Sequence, residues 1–465
     1  MSQRPNILFI MTDEQKYDTF SCINPTIKTP YLDDLIQESV FFTNGYCTNP
    51  SCIPSRAAIM TGKYPTACQC PTYISKLPED EVTFMKKLQE SGYYTAVVGK
   101  QHFAGSTIEK GYDYEFIVDG HSPNADKEEI TLYTEYLVSK GIDPRSLYEG
   151  DLIVGGHWKG NVEDYIDSFV GEQGKSWLEN HIKGNQSNKE KQPWFLNLSF
   201  PGPHQPFDGA GTGYEKDYDL KDMNRNESCF ADLDGKPPHY KKLNPKAYID
   251  QYPDEKFRET KRSYYATMSL IDEKIGEVVK LLKETGEFDN TLIIYTADHG
   301  DFMGDYGMVT KAQYLCQSLM RVPFFIKPPL ANFSGKVVHD DVSNVEIAST
   351  ALVAAESAEK ISENMENHPL QKYWSEESPS PETFLYMEAH NIKGVIVDQI
   401  KTIYYVDRPY GELYDLKKDP LERMNLWEEP SYQGQKCLGL SKIIDKMFQL
   451  SPKSEMRWNT HAPEI

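Results

Sequence analysis

The chain has 465 residues, a formal charge of -21, 39% hydrophobic and 26% charged residues, and is rich in Tyr (30) and Phe (20). That length and composition support a buried core, organised as one large domain with an appendage or as two domains. The acidic balance argues against a nucleic-acid partner, which needs a basic surface, and admits a long polyanionic substrate only in a locally positive cleft.

No apolar run approaches the roughly 20 residues of a membrane span, so no membrane partner is expected. Residues 6–11 (Asn-Ile-Leu-Phe-Ile-Met) are too short for a signal-peptide core and lead into Thr12-Asp13-Glu14, so they read as a buried first strand. As given the chain reads as cytoplasmic, or as periplasmic or secreted if a leader has been removed. Eight Cys in this length make no disulfide scaffold, and Cys68-Gln69-Cys70 has no second pair at zinc spacing.

Helical patterns follow at 30–38 and 83–91, the second stopped by Gly92. Strands are expected at 95–98, ended by Gly99, and at 194–200. Met268, Ile271, Ile275, Val278, Val279 and Leu282 give 264–285 a helical period, ended by Gly286. Two more strands are expected at 291–296 and 322–326. This alternation predicts an α/β sheet with crossover helices. Residues 355–383, rich in Glu, Ser and Pro, mark a boundary, giving domains 1–365 and 366–465. Beyond it, apolar runs near 384–386, 395–397 and 402–405 predict a small antiparallel sheet, with a closing helix at 441–450. Polar segments at 121–165 and 205–260 have the length of lids or binding loops.

The most informative stretch is Cys52-Ile53-Pro54-Ser55-Arg56, followed by Thr61-Gly62. Pro suits a first helical turn and Gly stops one. A helix starting near Pro54 puts Cys52 at its positive end, with Arg56 on the same face. Such a place can hold a nucleophile and the anion it attacks. Ligand sites in open α/β sheets lie beyond the carboxyl ends of strands. Here those ends carry Asp13-Glu14, Lys100-Gln101-His102, Pro203-His204 and Asp298-His299-Gly300. Asp13, Glu14, Asp298 and His299 read as ligands of a divalent cation, for which carboxylates suit Ca²⁺ or Mg²⁺ and the imidazole leaves room for Mn²⁺.

Cys-x-Pro-x-Arg with a trailing Thr-Gly resembles the signature of the type I, formylglycine-dependent sulfatases of the alkaline-phosphatase-like superfamily. Gly99-Lys100-Gln101-His102, residues 202–207, Asp298-His299-Gly300, Lys311-Ala312-Gln313-Tyr314 and residues 411–416 extend the resemblance over most of the chain. Two positions depart from the pattern. Glu14 stands where Asp or Gln is usual, and Cys316 or Gln317 stands where an acidic residue is common.

The resemblance implies a large, mixed, mostly parallel sheet flanked by helices, with a smaller C-terminal α+β subdomain built on an antiparallel sheet. It implies that Cys52 is oxidised to formylglycine (3-oxoalanine) by a formylglycine-generating or anaerobic sulfatase-maturating enzyme. One divalent cation, Ca²⁺ first, is then expected on Asp13, Glu14, Asp298, His299 and residue 52. Lys100, Lys311 and Arg56 would neutralise charge on the transferring group, with Arg56 also holding residue 52. His204 would protonate the leaving oxygen, and His102 would assist release of sulfate. The expected substrate is a small sulfate monoester, a sulfated saccharide first and an aryl sulfate second. The alternatives are a formylglycine-dependent phosphonate monoester or phosphodiester hydrolase, where the Lys-x-His pair usually differs, and a sulfoglycan-binding pseudoenzyme with unconverted Cys52.

Overall fold

A computed structural model describes residues 4–103, 109–120, 131–151, 153–186, 191–242, 245–375 and 384–451. In chain order the strands are β1 (Asn6–Asp13), β2 (Val40–Tyr46), β3 (Tyr94–Gly99), β4 (Tyr114–Ile117), β5 (Tyr148–Glu149), β6 (His157–Trp158) and β7 (Trp194–Pro203). They continue with β8 (Thr291–Ala297), β9 (Phe324–Lys327), β10 (Lys336–Ser343), β11 (Leu385–Ala389), β12 (Ile392–Val397), β13 (Ile400–Tyr405) and β14 (Gly411–Asp415). The helices are α1 (Pro30–Ile36), α2 (Cys52–Thr61), α3 (Phe84–Glu90), α4 (Leu132–Ser139) and α5 (Ile166–Gln186). The chain then forms α6 (Asp254–Thr285), α7 (Gln317–Met320), α8 (Ile347–Ala354) and α9 (Gln433–Leu450).

Every residue of β1 is buried, yet its side chains alternate between two cores. Leu8 and Ile10 join one core with residues of α1, α5 and α6. Ile7, Phe9 and Met11 join the other with residues of α2, α3 and α8. A sheet covered on both faces needs such continuous apolar strands. Eight strands form it, in the order β10-β2-β9-β8-β1-β7-β3-β4. Neighbours are parallel except where β9 pairs with β8 and β2. The expected mixed, mostly parallel sheet is therefore present, and so is the C-terminal antiparallel sheet, β11-β12-β13-β14. One face of the latter shares a core with Tyr46, Ala297 and Met320 of the larger sheet's region. No helix among the described residues is long and apolar enough to cross a membrane.

Three elements differ from their sequence reading for local reasons. Helix α6 starts at Asp254, ten residues before the expected 264, because its first turns bury few side chains and show little apolar period. Helix α9 begins at Gln433 rather than 441, and buries only Gly439, Ile443 and Lys446. Strand β9 begins at Phe324, after Pro323, which has no N–H to give a ladder. Strands β2 and β10 and helix α5 were not expected at all. Thr43-Asn44-Gly45 and His339-Asp340-Asp341 dilute the strands, and Gly171 and Gly174 dilute the helix. Part of the 121–165 segment, residues 121–130 and 152, lies outside the described residues, as do 376–383 of the boundary stretch. The described part of the 205–260 segment, which leaves out 243–244, is loop with a succession of short 3-10 turns up to 253, and residues 254–260 already belong to α6.

Candidate active site

Strands β1 and β8 are parallel neighbours, so Asp13 and Asp298 leave the sheet side by side. The Asp298 N–H donates to the Thr12 carbonyl at 3.1 Å. Helix α2 is docked on this edge by Ser55 Oγ, which donates to the Asp298 carbonyl at 2.5 Å. Cys52, the first residue of α2, is thereby brought to the same point. Ligand atoms of Asp13, Cys52, Asp298 and His299 all lie within 4.8 Å of one another, and all four residues are buried. Cys52 Sγ is 3.2 Å from His299 Nε2 and 3.7 Å from Asp13 Oδ1.

Arg56 is fully buried and turned toward the carboxylates. Its Nε donates to Asp298 Oδ2 at 2.6 Å and one terminal nitrogen to Asp13 Oδ2 at 3.2 Å. The other terminal nitrogen donates to the Lys100 carbonyl at 2.8 Å and Ser199 Oγ at 2.9 Å. The guanidinium thus ties β1, β3, β7 and the end of β8 together. Lys100 Nζ also pairs with Asp13 Oδ2.

Glu14 follows a different course from Asp13. Its backbone is left-handed (φ 62) and its N–H donates to Asp298 Oδ1 at 3.1 Å. Its Oε2 accepts from Lys311 Nζ at 2.7 Å and stands 3.1 Å from His204 Nε2. A second close group, Asp13, Glu14 and His204, forms on this side. His204 Nδ1 donates to the Gln205 carbonyl at 2.7 Å. Both ring nitrogens of His204 therefore face acceptors, the arrangement a protonated ring favours. Lys311 is held near Cys52 by its loop, in which Gln313 bonds Ser51 Oγ.

His102 is placed through its backbone, with φ 53 and its N–H donating to Asp119 Oδ1 at 3.0 Å. Its Nδ1 is buried with no hydrogen-bond partner among the described residues. Sequence reasoning passed over Asp119, Ser199 and Asp301. The last is buried, its carboxyl pushed well above the usual range by burial and the neighbouring Glu14, and its signal was a further acid directly after Asp298-His299-Gly300.

Electrostatics follow from burial among mixed charges. Burial and Asp13 push the Cys52 thiol up, but Lys100, Lys311 and His299 prevail and hold it well below the ordinary thiol range. Burial opposes charge on His299, yet Asp298 and Cys52 lift it to about 9. Burial raises Glu14 and Asp298 above the usual carboxylate range. Two carboxylates, an imidazole and residue 52, converging and out of water, suit a divalent cation. Glu14 Oε1, buried without a hydrogen-bond partner among the described residues, is a further oxygen donor on this side.

This architecture is the alkaline-phosphatase-like fold. It superposes on the phosphonate monoester hydrolase of Agrobacterium radiobacter with a TM-score of 0.79 at 19% identity, covering 96% of each chain. Within that fold the chain belongs to the sulfatase family, which it matches over residues 5–357, so it is a sulfuric ester hydrolase. Residues 304–448 match the C-terminal region of N-sulphoglucosamine sulphohydrolase. The chain is 26% identical to the N-acetylglucosamine-6-O-sulfatase of Bacteroides thetaiotaomicron, over 100% of its own length and 88% of the relative's. It is also 26% identical to the choline-sulfatase of Rhizobium meliloti, over 92% and 83% of the two lengths.

Proposed function

We propose that the protein hydrolyses the sulfate monoester of a small sulfated carbohydrate, using formylglycine made from Cys52 by a maturation enzyme. The carrying observation is the meeting of Cys52, at the head of α2, with Asp13, Asp298 and His299. The full-length likeness to a sulfatase of an amino sugar supports the carbohydrate. A divalent ion, Ca²⁺ first with Mg²⁺ or Mn²⁺ as alternatives, would be held by Asp13, Asp298, His299 and residue 52, and would supply Lewis-acid charge to the sulfuryl group. The hydrated aldehyde of residue 52 would supply the nucleophile.

The protein's own residues do the rest. Arg56 offsets the repulsion between Asp13 and Asp298 and fixes the floor of the site. Lys100 and Lys311, now on Asp13 and Glu14, carry the positive charge that a bound sulfate would meet. His204 holds a proton at Nε2 for the leaving oxygen. His102 is the base in this reading, which its unpartnered Nδ1 supports. Glu14 acts by holding Lys311 and His204 as well as by any contact with the ion.

Mass spectrometry of the Cys52 peptide from active enzyme should show an aldehyde in place of the thiol. Turnover should be highest on one of a panel of sulfated mono- and disaccharides, set beside choline sulfate, an aryl sulfate and a phenyl phosphonate. Full activity with unmodified Cys52 would overturn the formylglycine mechanism. Preference for the phosphonate would favour the hydrolase alternative, and saccharide binding without turnover would favour the pseudoenzyme.

A further inference from the structure

We propose that Tyr165 and Asp167, at the start of α5, are positioning residues for His204: they grip both ends of the 202–208 loop and so aim its Nε2. The proposal rests on the sulfatase reading, in which that nitrogen serves the leaving oxygen. At one end of the loop the Gly202 N–H donates to Asp167 Oδ1 at 2.8 Å. At the other, Tyr165 O–H donates to Asp208 Oδ1 at 2.8 Å and lies 3.3 Å from Thr267 Oγ1. Tyr165, Asp167 and Asp208 are all buried. Between the two anchors the loop is braced by the Asp208 N–H on the Pro206 carbonyl, at 3.0 Å, and by His204 Nδ1 on the Gln205 carbonyl. His204 Nε2 then faces Glu14.

The packing leaves no slack. A Cβ on Gly202 would sit 2.5 Å from Asp167 Oδ2 and 2.9 Å from Thr267 Cγ2. Asp167 Oδ2 and Asp208 Oδ2 are buried with no hydrogen-bond partner among the described residues. Burial raises both carboxyls to about 7. Such groups are costly in a core, and an apolar pair of similar shape would pack there without that cost. Their place beside the loop is explained if the bond to Gly202 and the bond from Tyr165 set where His204 stands.

The test uses the matured, metal-loaded enzyme with two substrates, an alkyl (sugar) sulfate whose leaving oxygen needs a proton and an activated aryl sulfate whose leaving group does not. Asp167→Ala and Tyr165→Phe should lower kcat on the alkyl sulfate about 10- to 100-fold, within the range of a misplaced general acid, with KM changed less than about 2-fold and the aryl sulfate less than about 3-fold. Asp167→Asn keeps an acceptor for the Gly202 N–H and should recover most of the loss. Ile182→Val, buried in α5 but away from the loop, should leave both substrates alone. Equal losses on the two substrates, or Asp167→Asn no better than Asp167→Ala, would overturn the proposal. If Asp167→Ala does not fold, the near-isosteric Tyr165→Phe decides. Histidine ¹⁵N resonances of His204 give a readout without turnover: a signal unmoved in Tyr165→Phe sinks the positioning role. Absence of sulfate-ester turnover in the wild type instead sinks the sulfatase reading.

Discussion

With Asp13 and Asp298 side by side and out of water, one guanidinium answers both carboxylates and also bonds the Lys100 carbonyl and Ser199. A single ammonium cannot reach that set of acceptors, because its donors radiate from one point. Arg56→Lys should therefore cost about 1–3 kcal/mol of stability, from buried acceptors left unpaired, and lower metal content measured by atomic spectroscopy. Wild-type melting and metal content in that variant would contradict this account. His204 and Lys100 separate by leaving group. His204→Ala should cost about 100- to 10,000-fold on sugar sulfates and far less on an activated aryl sulfate. In the proposed mechanism Lys100→Ala would remove charge at the sulfuryl group itself, so both substrates should slow alike. Equal losses in the His204 variant would leave that residue a sulfate binder and move the search for the acid to Lys311.

Elements fix where these side chains can stand. Strand β3 ends at Gly99, whose φ of 103 suits glycine and turns the chain to deliver Lys100. A Cβ there would overlap the Ser199 carbonyl of β7. Gly99→Ala should destabilise by about 2–5 kcal/mol from strain and overpacking together, read as a lowered denaturant midpoint, and displace Lys100. Helices α1 and α6 meet at another buried acid. Asp272 accepts the N–H groups of Leu32 at 2.7 Å and Tyr31 at 3.2 Å, yet burial lifts its carboxyl to about 7. An acid raised above its unfolded value of about 3.9 contributes stability that is complete below that value and is lost as pH rises through about 7. Asp272→Asn does not titrate, so melting temperature from pH 4 to 7.5 should fall more in the wild type than in the variant. Parallel curves would show that Asp272 titrates normally.

At the scale of the molecule, we propose the boundary at residue 365 as a division of sequence whose two parts do not fold apart. Leu385, Met387 and Ile403 share a core with Tyr46, Ala297 and Met320. Strand β11 also holds the approach to Cys52. The Glu388 N–H donates to the Thr48 carbonyl at 2.9 Å, Asn49 Nδ2 donates to the Glu388 carbonyl at 2.7 Å, and the Glu388 carboxylate accepts the Thr66 N–H at 2.7 Å. A chain ending at 365 should accordingly be insoluble or unfolded. A soluble truncated protein with a cooperative melt and bound metal would show the catalytic part to be independent.

The sheet class and the residues offered at the strand ends are legible in the chain alone. An apolar run followed at once by Asp13, Lys100 or Asp298 is a local pattern, and Pro54 and Gly62 bracket α2 within ten residues. Which of these groups pair is set by the folded arrangement. Glu14 looked like a partner of Asp13, but its carboxylate meets Lys311, 297 residues away, and His204. Arg56 looked placed to face Cys52, four residues back, but reaches Asp298, 242 residues on. The grip of Tyr165 and Asp167 on the His204 loop depends on a glycine-interrupted helix whose period is faint in the sequence. Propensity and apolar spacing act between near neighbours, whereas the partner of a buried charge is chosen by whichever distant strand the fold lays beside it.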